Sequence, residues 1–363
     1  MPNTINYAEI YSNQLRELYG QELTCDALYH SNTDIQLNNG KSIKIPTLSV
    51  SGYKDHTRAS LGFTTGSYAN DYETKTLDHD RSIEFVVDPM DFDETDTVVS
   101  LANIQNRFEK TQAIPELDCY TYSKLYSEAK RVSATVKNDN LTDNLTVSTI
   151  LTDFDDNLEA LEDKGVPLDR LILFCTPTYK KLLKNAEGIQ RTLDIRNGGG
   201  IDRRVHSLDD INNIVTVPSS RFKTLYDFTD GCVAATGAKQ INYILIDPEC
   251  QVSRVKYSYI HFFAPGSDSR TSDNYLYQNR RYNGTFAIDH LMTDGCIISV
   301  ETLTQSFEGD GTTKTFTVTD KPDSLIGVTV DGTETTAYTY TKATGAITFT
   351  TAPANGKAIV VTY

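Results

Sequence analysis

The segment TLDHDRSIEFVVDPMDFDET, residues 76–95, combines a strand pattern with a dense group of acids. Ile83, Phe85 and Val87 alternate with polar residues, which is the period of a strand with one buried face. Seven of its twenty residues are acidic, and the last of them precede a stretch with helical spacing. Acids at a helix N-terminus are favoured by the helix dipole. The segment therefore predicts a strand that returns the chain to a folded core just before a helix begins.

The acids of this segment raise the question of a metal site or a catalytic acid–base cluster. The candidate side chains are Asp78, His79, Asp80, Glu84, Asp88, Asp91, Asp93 and Glu94. A calcium loop of the helix–loop–helix kind needs alternating acids followed by glycine, but Asp91 and Asp93 are followed by Thr95 and Asp96. His79 lies between two aspartates, and a solvated or interface histidine is the commoner case there. We predict a charged contact surface without a bound metal.

Patterns elsewhere in the chain do not complete a reactive site either. Asp153, Asp155 and Asn157 resemble the start of a calcium loop, but Leu158 stands where glycine is required. The run NGGG at 197–200 lacks the Lys-Ser/Thr that completes a phosphate-binding loop. The six histidines form no HExxH or HxxxH pair. We therefore predict no catalytic, cofactor-binding or metal-binding residues, and a protein that is not an enzyme.

Composition and charge narrow the class of protein. The chain has 363 residues, which predicts two or more packed units. It carries 34 basic and 49 acidic residues, a formal net charge of -15, which disfavours tight binding to nucleic acid because phosphate contacts need clustered Lys and Arg. The adjacent Arg280 and Arg281 are interpreted as a bridge between subunits.

The six cysteines are dispersed without a CxxC pair, which predicts buried thiols in a reducing compartment rather than a zinc site. The first residues do not have the pattern of a signal peptide. No run of the sequence approaches the roughly 20 apolar residues of a membrane span. These features favour a protein that folds in a cytoplasm, away from membranes.

Upstream of 76–95 the chain predicts two long arms. KSIKIPTLSV at 41–50 reads as a strand with a bulge or break at Pro46, because its apolar alternation shifts there by one residue. The glycine-containing stretch 52–66 has the character of a loop tip. Such a pair of arms has too little apolar surface to be stable alone. It must lie on another surface, and we expect that surface to belong to a second subunit.

Downstream, helical and strand patterns succeed one another. Helices are predicted from 97 to 108, over about 115–133 beginning at Pro115, and over 150–161. LILFCT (171–176) and INYILID (241–247) are buried strands, and Thr176 is the expected cap of a helix from Pro177. Residues 253–300 are expected to contribute long strands. This order indicates an α+β fold.

The composition changes near residue 303. Residues 303–363 are rich in Thr and contain short alternating patterns, while Cys, Met, His and Arg are absent from them. Asp331-Gly332 and Asn355-Gly356 are expected to form hairpin turns. We predict a separate all-β domain over 303–363, immunoglobulin-like or similar.

Taken together, the segments resemble the major capsid proteins of tailed phages of the type that infects Gram-positive bacteria. The resemblance covers about 1–300 and rests on the order of the motifs HDR (79–81), FVVDPMDFDET (85–95), IPELDCYTYSKLYSEAK (114–130), VPSSRF (217–222), INYILID (241–247) and RRYNGTFAIDHLMTDGCI (280–297). It implies the Hong Kong ninety-seven coat fold. The parts so implied are an N-terminal arm at 1–36, an extended loop at 37–87, a peripheral domain with a spine helix at 88–134 and 251–302, and an axial domain at 135–250.

The resemblance also implies a function and partners. The chain would form the hexamers and pentamers of an icosahedral shell around double-stranded DNA. A separate scaffolding protein and a portal would take part, with assembly in the host bacterial cytoplasm. The β domain would decorate the outer surface or bind the host surface, or it would be a fused module of unknown use. Two alternatives stay open: an encapsulin-like compartment shell, and a surface- or carbohydrate-binding protein that acts through the β domain.

Overall fold

The structure is a computed structural model that describes residues 22–32, 42–55, 65–94, 101–141, 145–186, 213–267, 273–320, 322 and 324–363. Most of the predicted N-terminal arm, the middle of the loop tip and the glycine run at 197–200 lie outside these residues. Across the described ranges, no helix is both long and apolar enough to cross a bilayer.

The elements follow one another along the chain. The first are α1 (Asp26–Tyr29), β1 (Ser42–Val50), β2 (Tyr68–Thr76), β3 (His79–Val87), α2 (Pro89–Glu94), α3 (Leu101–Phe108), α4 (Ile114–Arg131), β4 (Thr135–Asn138), α5 (Ile150–Glu162), β5 (Ile172–Cys175) and α6 (Pro177–Asn185). They continue as β6 (Asn213–Thr216), β7 (Tyr226–Asp227), β8 (Val233–Ala234), β9 (Ile241–Ile246), β10 (Gln251–Phe263), β11 (Tyr275–Ala287), α7 (Asp289–Gly295) and β12 (Cys296–Val300). The last strands are β13 (Thr304–Glu308), β14 (Thr315–Thr317), β15 (Gly327–Val330), β16 (Thr333–Glu334), β17 (Tyr338–Thr341), β18 (Ala346–Phe349) and β19 (Ala358–Thr362).

These elements form two compact units, as the chain length predicts. The first is built from the described residues of Asp26–Phe108 and Gln251–Ile288. The second is built from those of Gly20–Cys25, Glu109–Cys250 and Asp289–Tyr363. Each unit therefore combines segments that are distant in sequence.

In the first unit, β1 and β2 form a two-stranded antiparallel ribbon. The pairing runs from Ser42 opposite Thr76 to Val50 opposite Tyr68 without a shift in register. The bulge predicted at Pro46 is therefore wrong. The apolar alternation shifts because Ile45 is buried at the base of the ribbon, whereas the outer residues face solvent.

The first unit also contains a three-stranded sheet in the order β10-β11-β3. The predicted alternation of β3 is confirmed, since its even-numbered residues from Asp80 to Val86 are exposed and the odd-numbered ones are buried or half-buried. Phe85 contacts the Tyr277 ring in parallel geometry at 6.1 Å and the Phe108 ring edge-on at 5.6 Å. The sheet therefore buries the face that carries Phe85.

The second unit is centred on a five-stranded sheet in the order β4-β12-β9-β5-β6. Helix α5 buries Ile150, Phe154, Leu158 and Leu161, as its spacing predicts. The Thr176 hydroxyl accepts a hydrogen bond from the Tyr179 amide at 3.2 Å, so the predicted cap of α6 is confirmed. The side chains that form this core are Leu145, Ile150, Phe154, Leu158, Leu161, Leu171, Leu173, Cys175, Tyr179, Leu183, Ala186, Tyr243, Leu245 and Ile297.

The predicted long helix is α4, but the residues before Pro115 are already helical and not extended. A turn of π-helix over Glu109–Ala113 leads into Ile114, the first residue of α4. Proline has no amide hydrogen to donate, so the wider turn accommodates a position where a regular α-helical bond cannot form. The strand-rich stretch 253–300 likewise contains a helix, α7, that the sequence did not predict.

Residues 303–363 form two small sheets, in the orders β13-β19-β15-β16 and β14-β18-β17. Asp331 and Gly332 have φ of 54° and 76° and join β15 to β16 in the predicted hairpin. Asn355-Gly356 instead connects β18 to β19, which lie in different sheets, so the hairpin predicted there is wrong. The Gly356 amide donates to the Gly309 carbonyl at 2.9 Å, a contact between distant residues that local sequence rules do not capture.

Candidate functional site

Most of the acidic segment 76–95 forms β3 and α2, and Asp80 and Glu84 accept hydrogen bonds from side chains of β11. Arg280 on β11 donates from Nε and Nη2 to the two carboxylate oxygens of Asp80, at 2.9 and 2.6 Å. Gln278 donates to the Glu84 carboxylate at 2.5 Å. The Arg280 guanidinium thus forms a two-bonded pair with Asp80 of the same chain, and the bridge between subunits interpreted for Arg280 and Arg281 stays a prediction. The Arg280–Asp80 pair joins side chains of the neighbouring strands β3 and β11.

The other candidate residues of the segment are placed as structural groups. His79 is buried at the start of β3. Asp88 accepts a hydrogen bond from the Met90 amide at 2.8 Å at the N-terminus of α2. The side chains of Asp93 and Glu94 lie outside the described part. Among the residues whose positions are described, no three His, Cys, Asp or Glu side chains converge as metal ligands would.

In the second candidate calcium sequence, at 153–157, Asp153 and Asn157 also form hydrogen bonds with side chains of the fold. Asp153 accepts from the Lys137 ammonium at 2.7 Å and from the Tyr243 hydroxyl at 3.0 Å. Asn157 is buried and donates to the Tyr243 hydroxyl at 2.8 Å. These bonds tie α5 to the central sheet, so the polar residues satisfy one another.

The ribbon carries a different kind of feature, an apolar face that the described chain does not cover. Residues opposite each other in an antiparallel pair share a face, so the register places Leu48, Val50, Tyr68 and Tyr72 together. These side chains are 69%, 73%, 81% and 56% exposed, respectively. Large apolar side chains that share one exposed face mark an interaction surface.

The segment before the ribbon is anchored by side chains of β10. The Arg254 guanidinium donates to the backbone carbonyls of Tyr29, Ser31 and Asn32 at 2.6, 2.9 and 2.5 Å. The buried Gln251 amide adds a bond to the Leu28 carbonyl at 2.8 Å. One planar guanidinium thus satisfies carbonyls that the end of α1 leaves without helical partners. Residues 28–32 are therefore anchored to β10.

A buried ion pair in the second unit was missed by the sequence interpretation. Asp118 on α4 is fully buried and accepts from Arg221 Nη1 at 2.5 Å. It also accepts from the backbone amides of Thr24 and Cys25, each at 3.1 Å from Oδ1. Arg221 donates in turn to the Glu22 carbonyl at 3.0 Å. The pair therefore holds residues 22–25 against α4.

The electrostatics of this cluster follow from its burial. Burial raises the pKa of the Asp118 carboxyl, while the hydrogen bond from Cys25 and the charge of Arg221 oppose that rise. Burial also raises the pKa of the Cys25 thiol and of the Tyr122 hydroxyl, with the charge of Asp118 adding to both. Buried thiols of raised pKa are inert as nucleophiles. Of the six cysteines, five are buried as predicted and Cys232 is half-buried.

Comparisons with known proteins place this architecture. No family model matches the chain, and no curated protein sequence matches it. Among solved structures, a mature capsid chain of bacteriophage PhiM1 matches with a TM-score of 0.58 and 14% identity, over 81% of this chain and 92% of that one. A chain of Mycobacterium phage Che8 matches with a TM-score of 0.55 and 14% identity, over 80% and 96%. A capsid chain of cyanophage P-SCSP1u matches with a TM-score of 0.53 and 12% identity, over 81% of this chain and 92% of that one.

This chain has the Hong Kong ninety-seven coat fold of phage capsids. The fold inferred from the order of the motifs is therefore confirmed. The coat fold also explains why two of those motifs belong together. IPELDCYTYSKLYSEAK contains Asp118 and VPSSRF contains Arg221, and the two side chains meet across 103 positions of sequence. One local signal could have indicated the pair: Asp118 lies one helical turn before Tyr122, on the face that the helix buries.

Proposed function

We propose that this protein is the major capsid protein of a tailed bacteriophage. The observation that carries the proposal is the match of its fold to phage capsid chains over 92–96% of their length. The exposed apolar face of the ribbon supports the same conclusion, because it requires a partner surface. In a shell of identical subunits, that surface is supplied by the next copy, and repeated head-to-tail contacts close into rings. Hexamers and pentamers of an icosahedral shell follow.

The charge of the chain suits an enclosing shell. A net charge of -15 leaves little basic surface to bind packaged DNA, and each phosphate–cation contact would resist packaging and release. The shell thus encloses double-stranded DNA without sequence-specific binding. A scaffolding protein and a portal are its further partners, with assembly in the host bacterial cytoplasm and a final location in the virion. No catalysis, cofactor or membrane contact is part of this role.

Purified chain, alone and co-expressed with its scaffolding protein, is expected to form hexamers, pentamers or closed shells. The physical reason is the ribbon face, whose apolar side chains gain contact only on association. Size-exclusion chromatography with light scattering and negative-stain microscopy measure this directly. A chain that stays monomeric in both preparations contradicts the proposal. Shells filled with an enzyme in place of DNA would identify a compartment shell of the encapsulin kind.

Residues 303–363 are proposed to be a surface domain that is dispensable for assembly. Its sheets share a hydrophobic core of their own, formed by Val318, Val328, Ile347, Phe349, Ile359, Val361 and Tyr363. Leu303 and Tyr363 exchange backbone hydrogen bonds at 3.0 and 2.9 Å, so both ends of the domain meet at one point. Beyond that point, Lys239 Nζ lies 5.7 Å from the centre of the Tyr363 ring.

Truncation after Thr302 is therefore expected to leave shells of normal diameter that have lost knobs from their outer face. Electron microscopy of the truncated and full-length particles is the measurement. Failure of the truncated chain to assemble, or density lost from the inner face, would show that the domain is structural or internal. Full-length particles that bind host-surface glycans, and truncated ones that do not, would give the domain a binding role.

A further inference from the structure

A short, partly buried connection joins the ribbon to the three-stranded sheet of the first unit. β2 ends at Thr76 and β3 begins at His79, so two residues separate the exposed ribbon from the sheet. The first of them, Leu77, is 4% exposed, and its carbonyl accepts from the Tyr282 hydroxyl at 3.2 Å. On the other ribbon strand Ile45 is 6% exposed. The base of the ribbon is thus buried, whereas Leu48, Val50 and Tyr68 farther out on the ribbon are exposed.

Leu77 and Ile45 belong to one hydrophobic cluster on β10 and β11. Its other buried members are Val252, Phe286 and Ile288. The cluster includes Ile45 of β1 and Leu77, the residue directly after β2, so its packing sets where the ribbon meets the three-stranded sheet. Interiors of this kind are close-packed and respond to a change of one methyl group.

Gly284 on β11 is the point in this cluster where an added side chain would force a buried neighbour to shift. A Cβ atom at this position would lie 2.4 Å from Leu77 Cδ2 and 3.0 Å from Phe286 Cζ. Its φ lies outside the left-handed region, so the backbone conformation does not require glycine. A glycine inside a strand commonly marks a close approach of another segment, and here the approaching group is the Leu77 side chain.

We propose that Gly284 and Leu77 form the seat that fixes the direction of the ribbon. Leu77 lies in the space that the missing side chain of Gly284 leaves, and this fit holds the two-residue connection in one conformation. The direction of the ribbon then decides whether its apolar face reaches the neighbouring copy. Gly284 and Leu77 are positioning residues in this role. The effect of the ribbon's direction on assembly rests on the proposed function.

The test measures the ribbon in the unassembled subunit. Spin labels on cysteines introduced at Ser49 of the ribbon and Ser258 of β10, with Cys232→Ser, report the distance between ribbon and sheet. Hydrogen exchange reports the stability of the base. The variants are G284A, L77A and the double variant. G327A is the matched control, because Gly327 also lies in a strand and a Cβ atom added there would have Glu334 Oε1 as its nearest neighbour, at 4.0 Å.

G284A is expected to shift the label distance and to lower exchange protection at the base about tenfold, the usual scale of overpacking a filled core. L77A is expected to broaden the distance distribution, because the seat is then empty. In the L77A background, adding G284A is expected to have a smaller further effect, since the atom at 2.4 Å, Leu77 Cδ2, is gone and only Phe286 Cζ at 3.0 Å stays close. G327A is expected to match the wild type.

Unchanged distances in both single variants, or additive effects in the double variant, would overturn the proposal. Should G284A fail to fold, the distance distribution of L77A decides alone, and an unbroadened one counts against the seat. Particle yield is a separate measurement. Variants that move the ribbon in a protein whose wild type never forms particles would support the seat and refute the capsid role. If the wild type assembles but the ribbon does not move in the variants, the capsid role is supported and the seat is refuted.

Discussion

Asp118→Ala is expected to destabilise the protein by about 3–5 kcal/mol, the cost of leaving one partner of a buried ion pair alone. Asp118 is fully buried, and Arg221 is 7% exposed at its side chain. Without the carboxylate, the guanidinium is buried without its counter-charge, and the amides of Thr24 and Cys25 lose their acceptor. Urea unfolding followed by circular dichroism measures the change in the free energy of unfolding.

The matched control for this prediction is Asp289→Ala. Asp289 binds Arg131 in an ion pair whose side chains are 36% and 43% exposed, and pairs of that exposure contribute about 0–1 kcal/mol. Asp118→Ala should also raise proteolysis near residues 22–25, because those residues lose their attachment to α4. Equal and small losses of unfolding free energy in both variants would mean that the Asp118–Arg221 pair does not hold residues 22–25 against α4.

Replacing the apolar ribbon face is expected to abolish shell formation while leaving the subunit folded. In the double variant L48N/Y68N, two side chains that are 69% and 81% exposed become polar. They contribute little to the core, so the thermal midpoint of the subunit is expected to stay unchanged. Their apolar contact area is lost at the interface, where burial is the main driving force for association. Light scattering and electron microscopy report the particles.

The control places the same substitutions on the other face of the ribbon. Thr47 and Ser49 alternate with Leu48 along β1 and accordingly point to the opposite side. The variant T47N/S49N is expected to assemble as the wild type does. Particles of normal yield from L48N/Y68N would contradict the assignment of this face as the docking surface. A lowered thermal midpoint in L48N/Y68N alone would instead place the face in the core of the subunit.

Features that depend on residues close together in sequence were predicted. The buried face of α5, the cap of α6 at Thr176, the alternation of β3 and the hairpin at Asp331-Gly332 all follow from local spacing and backbone preference. A turn forms at Asn355-Gly356 as the same local rule predicts, but the hairpin predicted there is wrong, because the strands on either side lie in different sheets. The same dipeptide at Asn283-Gly284 stays within β11, because both residues are paired with β10 in the sheet.

The periods of the apolar residues indicated an α+β fold by themselves, and the order of the motifs indicated the coat fold through their resemblance to phage capsid proteins. The sequence also predicts that the two arms of the ribbon lack enough apolar surface to be stable without a partner. Only the tertiary structure decided that Arg280 pairs with Asp80, that Asp118 meets Arg221, and that Leu77 fills the space beside Gly284. Each of these contacts joins residues about 100 to 210 positions apart, and pairing at that distance is chosen by the packing of whole elements rather than by local preference.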